Sequence, residues 1–415
     1  MTNTVDVLIV GGGAAGIGAS LQLTGAHVPH MIVEARPRLG GRGWTIEESA
    51  YALDMGCGWL HSADENPWTD IAIAQGRTID RTPPPWTRPS TNIDMPLDAQ
   101  ADFGRAFGAF YDKLHAARDE PDRPASSLLE PGGRWNTLLN TVSTYINGAE
   151  LDRVSMHDFA LYRDTEINWR IKEGYGATIV AAAGENVLLD CPVTEIDHSG
   201  SLVSVRTPKG ALTAKAVIVT LSSALIAEER IRFTPALPEK AEAAGNLPLG
   251  LANKLFLSLD HPEEFDHDSR VFGHPKDVGT AAYHIRPFSR PLIEAFFGGS
   301  LADDLEREGG HAFVDFATQE LTGLMGSDFA RRIRPVRLSQ WRKDEYAHGS
   351  YSYAKPGHHN DRERLAQPVD NRIFFAGEAC SPMSYSTVHG AYHTGVAAAG
   401  QAMAALGYAG SSAAG

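Results

Sequence analysis

The sequence predicts a mixed fold, α/β in one part and α+β in another, and three observations carry that prediction. First, the apolar run VDVLIV at residues 5–10 breaks at GGGAAG, continues as helix-compatible sequence to about Leu23, and returns as a second apolar run, MIVE, at 31–34. This is the opening of a βαβ unit, whose parallel strands are covered on both faces and read as unbroken apolar runs. Second, strand-like runs return far downstream and again near the C-terminus, so the sheet is assembled from distant pieces. Third, the stretches between them mix an amphipathic helix with alternating segments, the signature of a separate α+β layer.

Each element follows in chain order. TPPPWTRPS, from Thr82 to Ser90, is too rich in proline for regular structure, because each ring fixes φ and removes a donor. ADFGRAFGAFYDKLHAARDE then reads as an amphipathic helix for an outer surface or the roof of a pocket, before a second proline-containing stretch near 121–131. NVLLD (186–190), LVSVRTP (202–208) and LTAKAVIVTLS (212–222) are strand candidates, the last ending in small polar residues. NKLFLSL (253–259) alternates as a half-buried strand, and EAFFGG (294–299) is another candidate. FVDFATQELTGLMG reads as a helix stopped by glycine. RIFFAGE is a buried strand, and TVHGAYHTGVAAAGQAMAAL is a small-residue helix suited to close packing.

With 415 residues, 43% of them hydrophobic, the chain can bury a large core and exceeds one comfortable domain. A net charge of −14 without a Lys/Arg-rich run argues against a nucleic-acid partner. Cys57, Cys191 and Cys380 are scattered, so reduced thiols and a cytoplasmic location are expected. No basic leader precedes VDVLIV, no apolar run has membrane-spanning length, and the tail GYAGSSAAG is no anchor, so no membrane association is expected. The histidines, His358 and His359 included, make no recognised ligand spacing, and no metal is expected. Oligomeric state is not legible, and a homodimer is compatible with the pattern.

The strongest local signal is Gly11-Gly12-Gly13-Ala14-Ala15-Gly16, a GxGxxG placed between strand and helix. Gly11 permits the tight turn, Gly13 lets the backbone approach a pyrophosphate, and Gly16 allows close helix–strand packing. The helix start offers free N–H groups to the phosphates, and Glu34 ends the second strand where a carboxylate can accept from a ribose. A Rossmann-like dinucleotide-binding domain follows. Arg36, Arg38 and Arg42 come next, with Gly40-Gly41 between them; they either neutralise the pyrophosphate or orient the far end of a long cofactor, or are surface arginines.

Six blocks in order, DVLIVGGGAAGIGAS, EARPRLGGR, LDMGCGWLHSADENP, PLGLANKLFLSL, QWRKDEYAHGSYSY and FFAGEACSPMSYSTVHGAYHTG, resemble the flavin-containing amine oxidase family. That family includes monoamine, polyamine and L-amino-acid oxidases and the lysine-specific histone demethylases. The resemblance runs from residue 5 to about 400. It implies FAD as cofactor, with Ala15, Gly41, Gly58, Trp59, Val193, Trp341, Gly377 and Val388 beside it. It implies an FAD-binding domain of 1–81, 173–235 and 339–415, and a substrate-binding domain of 82–172 and 236–338.

The resemblance also assigns chemistry. Lys254, in an apolar strand, matches the lysine that holds a water against flavin N5; the alternative is a snorkelling or salt-bridged lysine. Tyr351, within GSYSY read as an exposed strand with Tyr351 and Tyr353 on one face, would be one wall of the aromatic cage that receives the amine. Ser350 stands where monoamine oxidases carry the cysteine bonded to flavin, so FAD is expected to be noncovalent. Thr387 replaces the second aromatic wall, a pattern nearer to polyamine oxidases and histone demethylases. His61 is the nearest candidate base, and Trp59 would line the pocket with it. Glu378 binds the ribityl or pyrophosphate region or caps the following turn.

The implied reaction is hydride transfer from a neutral amine to flavin N5, hydrolysis of the imine to a carbonyl product, and reduction of oxygen to hydrogen peroxide. The partners are a small-molecule amine and oxygen. Two rivals are a flavin dehydrogenase or desaturase with another electron acceptor, and a nonenzymatic flavin-binding interaction module.

Overall fold

The computed structural model describes residues 4–89 and 95–408; Ser90 of the proline stretch and most of the GYAGSSAAG tail lie outside that range. The first apolar run forms the strand Thr4–Val10, the helix Ala14–Gly25 follows, and His30–Val33 returns parallel with Val7 opposite His30. Successive side chains point to opposite faces of a strand. Val7 and Ile9 accordingly enter one core with Ile17 and Ala398, while Leu8 and Val10 enter another with Val217 and Phe375. Burial on both faces is why the run shows no alternation.

Gly210–Val219 lies parallel on the other side of Thr4–Val10, and Ile373–Phe375 pairs parallel with its last residues. The eight-stranded sheet runs Arg232–Thr234, Glu195–Asp197, Val203–Thr207, Gly210–Val219, Thr4–Val10, His30–Val33, Val187–Leu188, with Ile373–Phe375 beside Gly210–Val219. The last helix, Val388–Ala405, packs directly on the first. A Cβ on Gly18 would stand 2.9 Å from the Tyr392 carbonyl oxygen, and one on Gly395 would stand 2.0 Å from that of Ala15. The small-residue pattern of the last helix is thus an interlock of backbones.

A second, antiparallel sheet runs Ser269–Phe272, Ala282–Ile285, Leu292–Gly298, Ala252–Leu259, Ile333–Leu338. The half-buried reading of NKLFLSL is corrected here: all of Ala252–Leu259 except Ser258 is buried. The strand is interior to its sheet. Leu255 and Leu257 pack with Phe313, Ala317 and Leu321 of the helix Gly310–Met325, while Lys254 faces a cavity on the other side. This part is the predicted α+β layer, and the mixed α/β and α+β class holds.

Two further expectations need correction. The proline stretch contains one 3₁₀ turn, Pro85–Thr87. The GSYSY segment is not exposed: only Tyr351–Ser352 is strand, Ser352 is fully buried, and the two tyrosines part company. Tyr351 lines the cavity, while Tyr353 joins a core with Phe110 and Leu151. The polarity of Ser352 misleads because its hydroxyl has buried partners, donating to Glu378 and accepting from Arg362. The amphipathic helix, Leu97–Ala116, is a roof: Phe103, Phe107 and Tyr111, each four residues apart, line the cavity.

Candidate active site

Both sheets and the roof helix surround one cavity of about 1940 Å³. A pocket for one small ligand occupies roughly 300–1,000 Å³, so this volume suits a long cofactor with substrate space beyond it. Every residue singled out above for cofactor or chemistry lines it except Gly16 and Arg38, whose guanidinium lies over the Trp44 ring.

At the nucleotide end, Gly11 has φ +106°, and an added Cβ would meet Thr220 Oγ1 at 2.5 Å. A Cβ on Gly16 would lie 2.0 Å from the Gly11 carbonyl oxygen, which explains why Gly16 serves packing and does not reach the cavity. A Cβ on Gly13 would meet nothing nearer than Gly41 Cα at 4.0 Å, so the backbone there faces open space. No side chain caps the helix Ala14–Gly25, which leaves first-turn N–H groups beside that space. Glu34 is buried and accepts from Gly12 N at 2.7 Å and Arg36 N at 2.8 Å. Two carboxylate oxygens carry about four acceptor sites, so ribose hydroxyls can still be received. An open glycine, free N–H groups and a buried carboxylate fit a dinucleotide.

The arginines divide by partner. Arg36 is buried against Asp344 and stacks 5.3 Å from the Tyr346 ring. Arg42 donates to Ser350 O at 2.8 Å and Glu378 Oε1 at 2.9 Å. Neither is a free surface arginine. Glu378 is more than a cap: it also accepts from Ser352 Oγ and from Ser386 N, tying three loops together. Burial would raise its carboxyl, but Arg42, Ser352 and Arg362 hold it below its ordinary range. Gly41, Val193, Gly377 and Val388 line the cavity between these groups. Trp341 is buried, its indole N–H donated to Met55 O at 3.3 Å.

Lys254 Nζ lies 2.9 Å from Glu294 Oε1 and 3.1 Å from Asp54 O. Burial alone would lower its pKa, yet Glu294, Asp54 and Cys57 hold it above the ordinary value, so the group stays charged. Gly58 makes room for it, since a Cβ there would stand 3.2 Å from Nζ. An ammonium has three donors and two are used. The lysine is thus the salt-bridged one, with one donor left over on the cavity side.

Tyr351 donates its hydroxyl to Tyr145 O at 2.5 Å, and burial pushes its pKa up. Tyr145 meets Phe296 edge-on at 6.0 Å, so this wall is aromatic beyond Tyr351 itself. Thr387 lines the cavity as N-cap of Val388–Ala405, its hydroxyl accepting from Gly390 N and donating to Ser384 O. It has no proton left for a ligand. His61 Nδ1 lies 2.6 Å from Asn168 Oδ1, and Trp59 stacks edge-on with Trp86 at 4.5 Å.

Sequence reasoning missed Glu294, Arg270 and His389, which also line the cavity. His389 sits two residues after Thr387, and its pKa is lowered to about 4 by burial and by His61 and His393. Away from the cavity, potential ligand atoms of Asp122, His157 and His359 lie within 4.8 Å of one another, a cluster no spacing reveals. Its carboxylate already accepts from Ser155, His157 N and Gly357 N, which gives it a role in holding the loops.

The sequence profile of flavin containing amine oxidoreductase matches residues 14–74 and 130–403. Polyamine oxidase 2 of Arabidopsis thaliana is 29% identical over 450 residues, spanning 96% of this chain and 88% of its own length. The peroxisomal N(1)-acetyl-spermine/spermidine oxidase of Homo sapiens is 26% identical, spanning 94% and 93%. Among solved structures, wild-type putrescine oxidase bound to putrescine superposes with a TM-score of 0.79 at 17% identity, covering 97% and 99%. Cyclohexylamine oxidase from Brevibacterium oxydans IH-35A gives 0.77 at 21%, with the same coverage. At those identities the two structures speak for the fold.

Proposed function

Since the chain belongs to the flavin-containing amine oxidoreductases and is an FAD-dependent amine oxidase, we propose that it removes hydride from the carbon bearing an amine nitrogen and yields a carbonyl product. For a primary amine the balance is RCH₂NH₂ + O₂ + H₂O → RCHO + NH₃ + H₂O₂. The observation that carries this reading is one cavity reaching from the Gly11–Gly13 loop and Glu34 to Lys254 and Tyr351.

Bound flavin supplies the hydride acceptor and the route for electrons to oxygen. The protein supplies position and proton control. Gly11, Gly13, Ala15 and the first-turn N–H groups hold the pyrophosphate, and Glu34 takes the ribose hydroxyls. Arg42 and Glu378 fix the loops behind the flavin end. The remaining Lys254 proton holds a water for imine hydrolysis. Tyr351 and Phe296 orient a neutral amine and exclude bulk water. His61, with Nδ1–H donated to Asn168, leaves Nε2 as acceptor for the ammonium proton.

To the same proposal belong noncovalent FAD, a discontinuous FAD-binding domain of 1–81, 173–235 and 339–415 around a substrate domain of 82–172 and 236–338, a cytoplasmic location and a homodimer. Ser350 favours the noncovalent reading, because its hydroxyl is exchanged with Ala252 N and O. Among the described residues no helix is long and apolar enough to cross a membrane.

The test is the visible spectrum of purified protein under anaerobic challenge with primary amines, polyamines, amino acids and a cyclic secondary amine. Bleaching followed by recovery in air is expected. Bleaching without recovery would transfer the assignment to a dehydrogenase with another acceptor. A flavin that stays oxidised with every amine would overturn the proposed reaction.

A further inference from the structure

The antiparallel sheet presents one face to the cavity, and its charges fall in register. Arg270 stands opposite His284, and His284 opposite Glu294. In the next row Phe272 stands opposite Ala282, Ala282 opposite Phe296, and Phe296 opposite Lys254. All of these line the cavity. Three of these four ionisable groups are matched: Glu294 holds Lys254, and His284 Nε2 lies 2.9 Å from Asp268 Oδ1.

Arg270 differs. Among the described residues no hydrogen bond or ion pair reaches its guanidinium, whose Cζ rests 3.9 Å from the Phe272 ring centroid. Burial lowers its pKa to about 10, and Tyr145 offsets this only in part. Even so it is charged at neutral pH. A part-buried guanidinium in the cavity wall, with five donors and no acceptor, is left to be paired by an acceptor brought into the cavity.

We infer that Arg270 is the anion-recognition residue of the substrate pocket, and that the preferred substrate is an amine with a carboxylate at its far end. This deepens the amine-oxidation reading and rests on it for the position of the nitrogen. The register sets the spacing. Three strand-to-strand steps of about 4.8 Å separate the Lys254 and Arg270 strands, or about 14 Å between their axes. An α-amino acid, with nitrogen and carboxylate on one carbon, cannot span that interval. An ω-amino carboxylate with a chain of several methylenes covers much more of it, with the long Arg270 side chain reaching the remainder, running along the apolar row of Phe272, Ala282 and Phe296. Asp164 and Glu166, exposed at the mouth, provide the contrary case, since they would suit the distal ammonium of a diamine.

The experiment measures peroxide formation by the holoenzyme with hexylamine, 1,6-diaminohexane, and 4-aminobutanoate, 6-aminohexanoate and 8-aminooctanoate. The expected result is a length optimum among the ω-amino carboxylates, with kcat/KM at least tenfold above hexylamine and the diamine. In Arg270→Gln the carboxylate-to-hexylamine ratio should fall at least tenfold, through KM, and Arg270→Lys should restore part of it. A diamine preference, or a ratio untouched in Arg270→Gln, overturns the inference. Hexanoate, which has no amine, separates this from failure of the amine reading. Its perturbation of the oxidised flavin spectrum should require at least tenfold more ligand in Arg270→Gln even if no amine is turned over. Equal hexanoate affinity in the two proteins overturns the anion site.

Discussion

Replacing Lys254 by Met, Glu294 by Leu, and both together separates what the pair does for the fold from what the lysine does for turnover. The two groups lie 2.9 Å apart with side chains 8% and 20% exposed. Removing one partner of a buried pair costs about 3–5 kcal/mol, whereas replacing both by apolar groups is near neutral. Glu294 keeps some solvent, so the lower end, about 3 kcal/mol, applies to each single variant. With an unfolding entropy of about 2.1 cal/mol/K per residue over 415 residues, each kcal/mol moves Tm by about 1 °C. Both single variants should melt about 3 °C lower, and the double variant should recover most of that while staying slow in peroxide formation.

The pH dependence has a definite sign. The raised pKa of Lys254 contributes stability in full below its ordinary value of 10.5, lost as pH rises through the folded value. The depressed pKa of Glu294, which burial opposes and Lys254 produces, contributes above its ordinary 4.5, lost as pH falls through the folded value. Wild type and double variant should therefore differ by a constant amount from about pH 5 to 9. Thermal melts and oxygen-electrode rates on the four proteins decide the matter. A double variant no more stable than the worse single, or one with wild-type turnover, would refute the reasoning.

Gly13→Ala should keep its Tm as apoprotein but copurify with much less flavin, whereas Gly16→Ala, whose Cβ would press on the Gly11 carbonyl, should be poorly folded; absorbance per chain and melting tell them apart. Tyr351→Phe leaves the Tyr145 carbonyl without its partner, so about 1–2 kcal/mol of stability is lost while turnover falls less than tenfold; a thousandfold loss would mean that the hydroxyl takes part in chemistry. His389, held near pKa 4 by burial, His61 and His393, contributes stability above its ordinary 6.5 that is lost as pH falls through about 4. An acid limb in kcat/KM between pH 5 and 8 should thus persist at the same pH in His389→Gln.

The cofactor end was legible because its determinants are local. Strand, turn and helix start fall within Thr4–Gly25, Gly11 carries the positive φ of the turn itself, and Gly16 is set by the Gly11 carbonyl five residues away. The substrate end was legible only where one residue contradicts its surroundings, as Lys254 does among apolar neighbours. Glu294 and Arg270 gave no such signal, since a charge every second residue is ordinary on a strand. Their meaning comes from register across strands far apart in sequence, as Lys254 is from Phe296. The same gap explains NKLFLSL and GSYSY: alternation tells which residues share a face, but not whether that face meets water, a cavity or a buried arginine.

The interlock of the first and last helices has a consequence in time. A nascent chain makes the Gly11–Gly13 loop long before the helix that braces it, Val388–Ala405, and the strand Ile373–Phe375. Gly18 and Gly395 can seat only against each other's helices, so the first helix gains this support only once Val388–Ala405 has been made. Cofactor capture therefore waits on these two late elements: a fragment that ends before Ile373 lacks both and should hold flavin poorly.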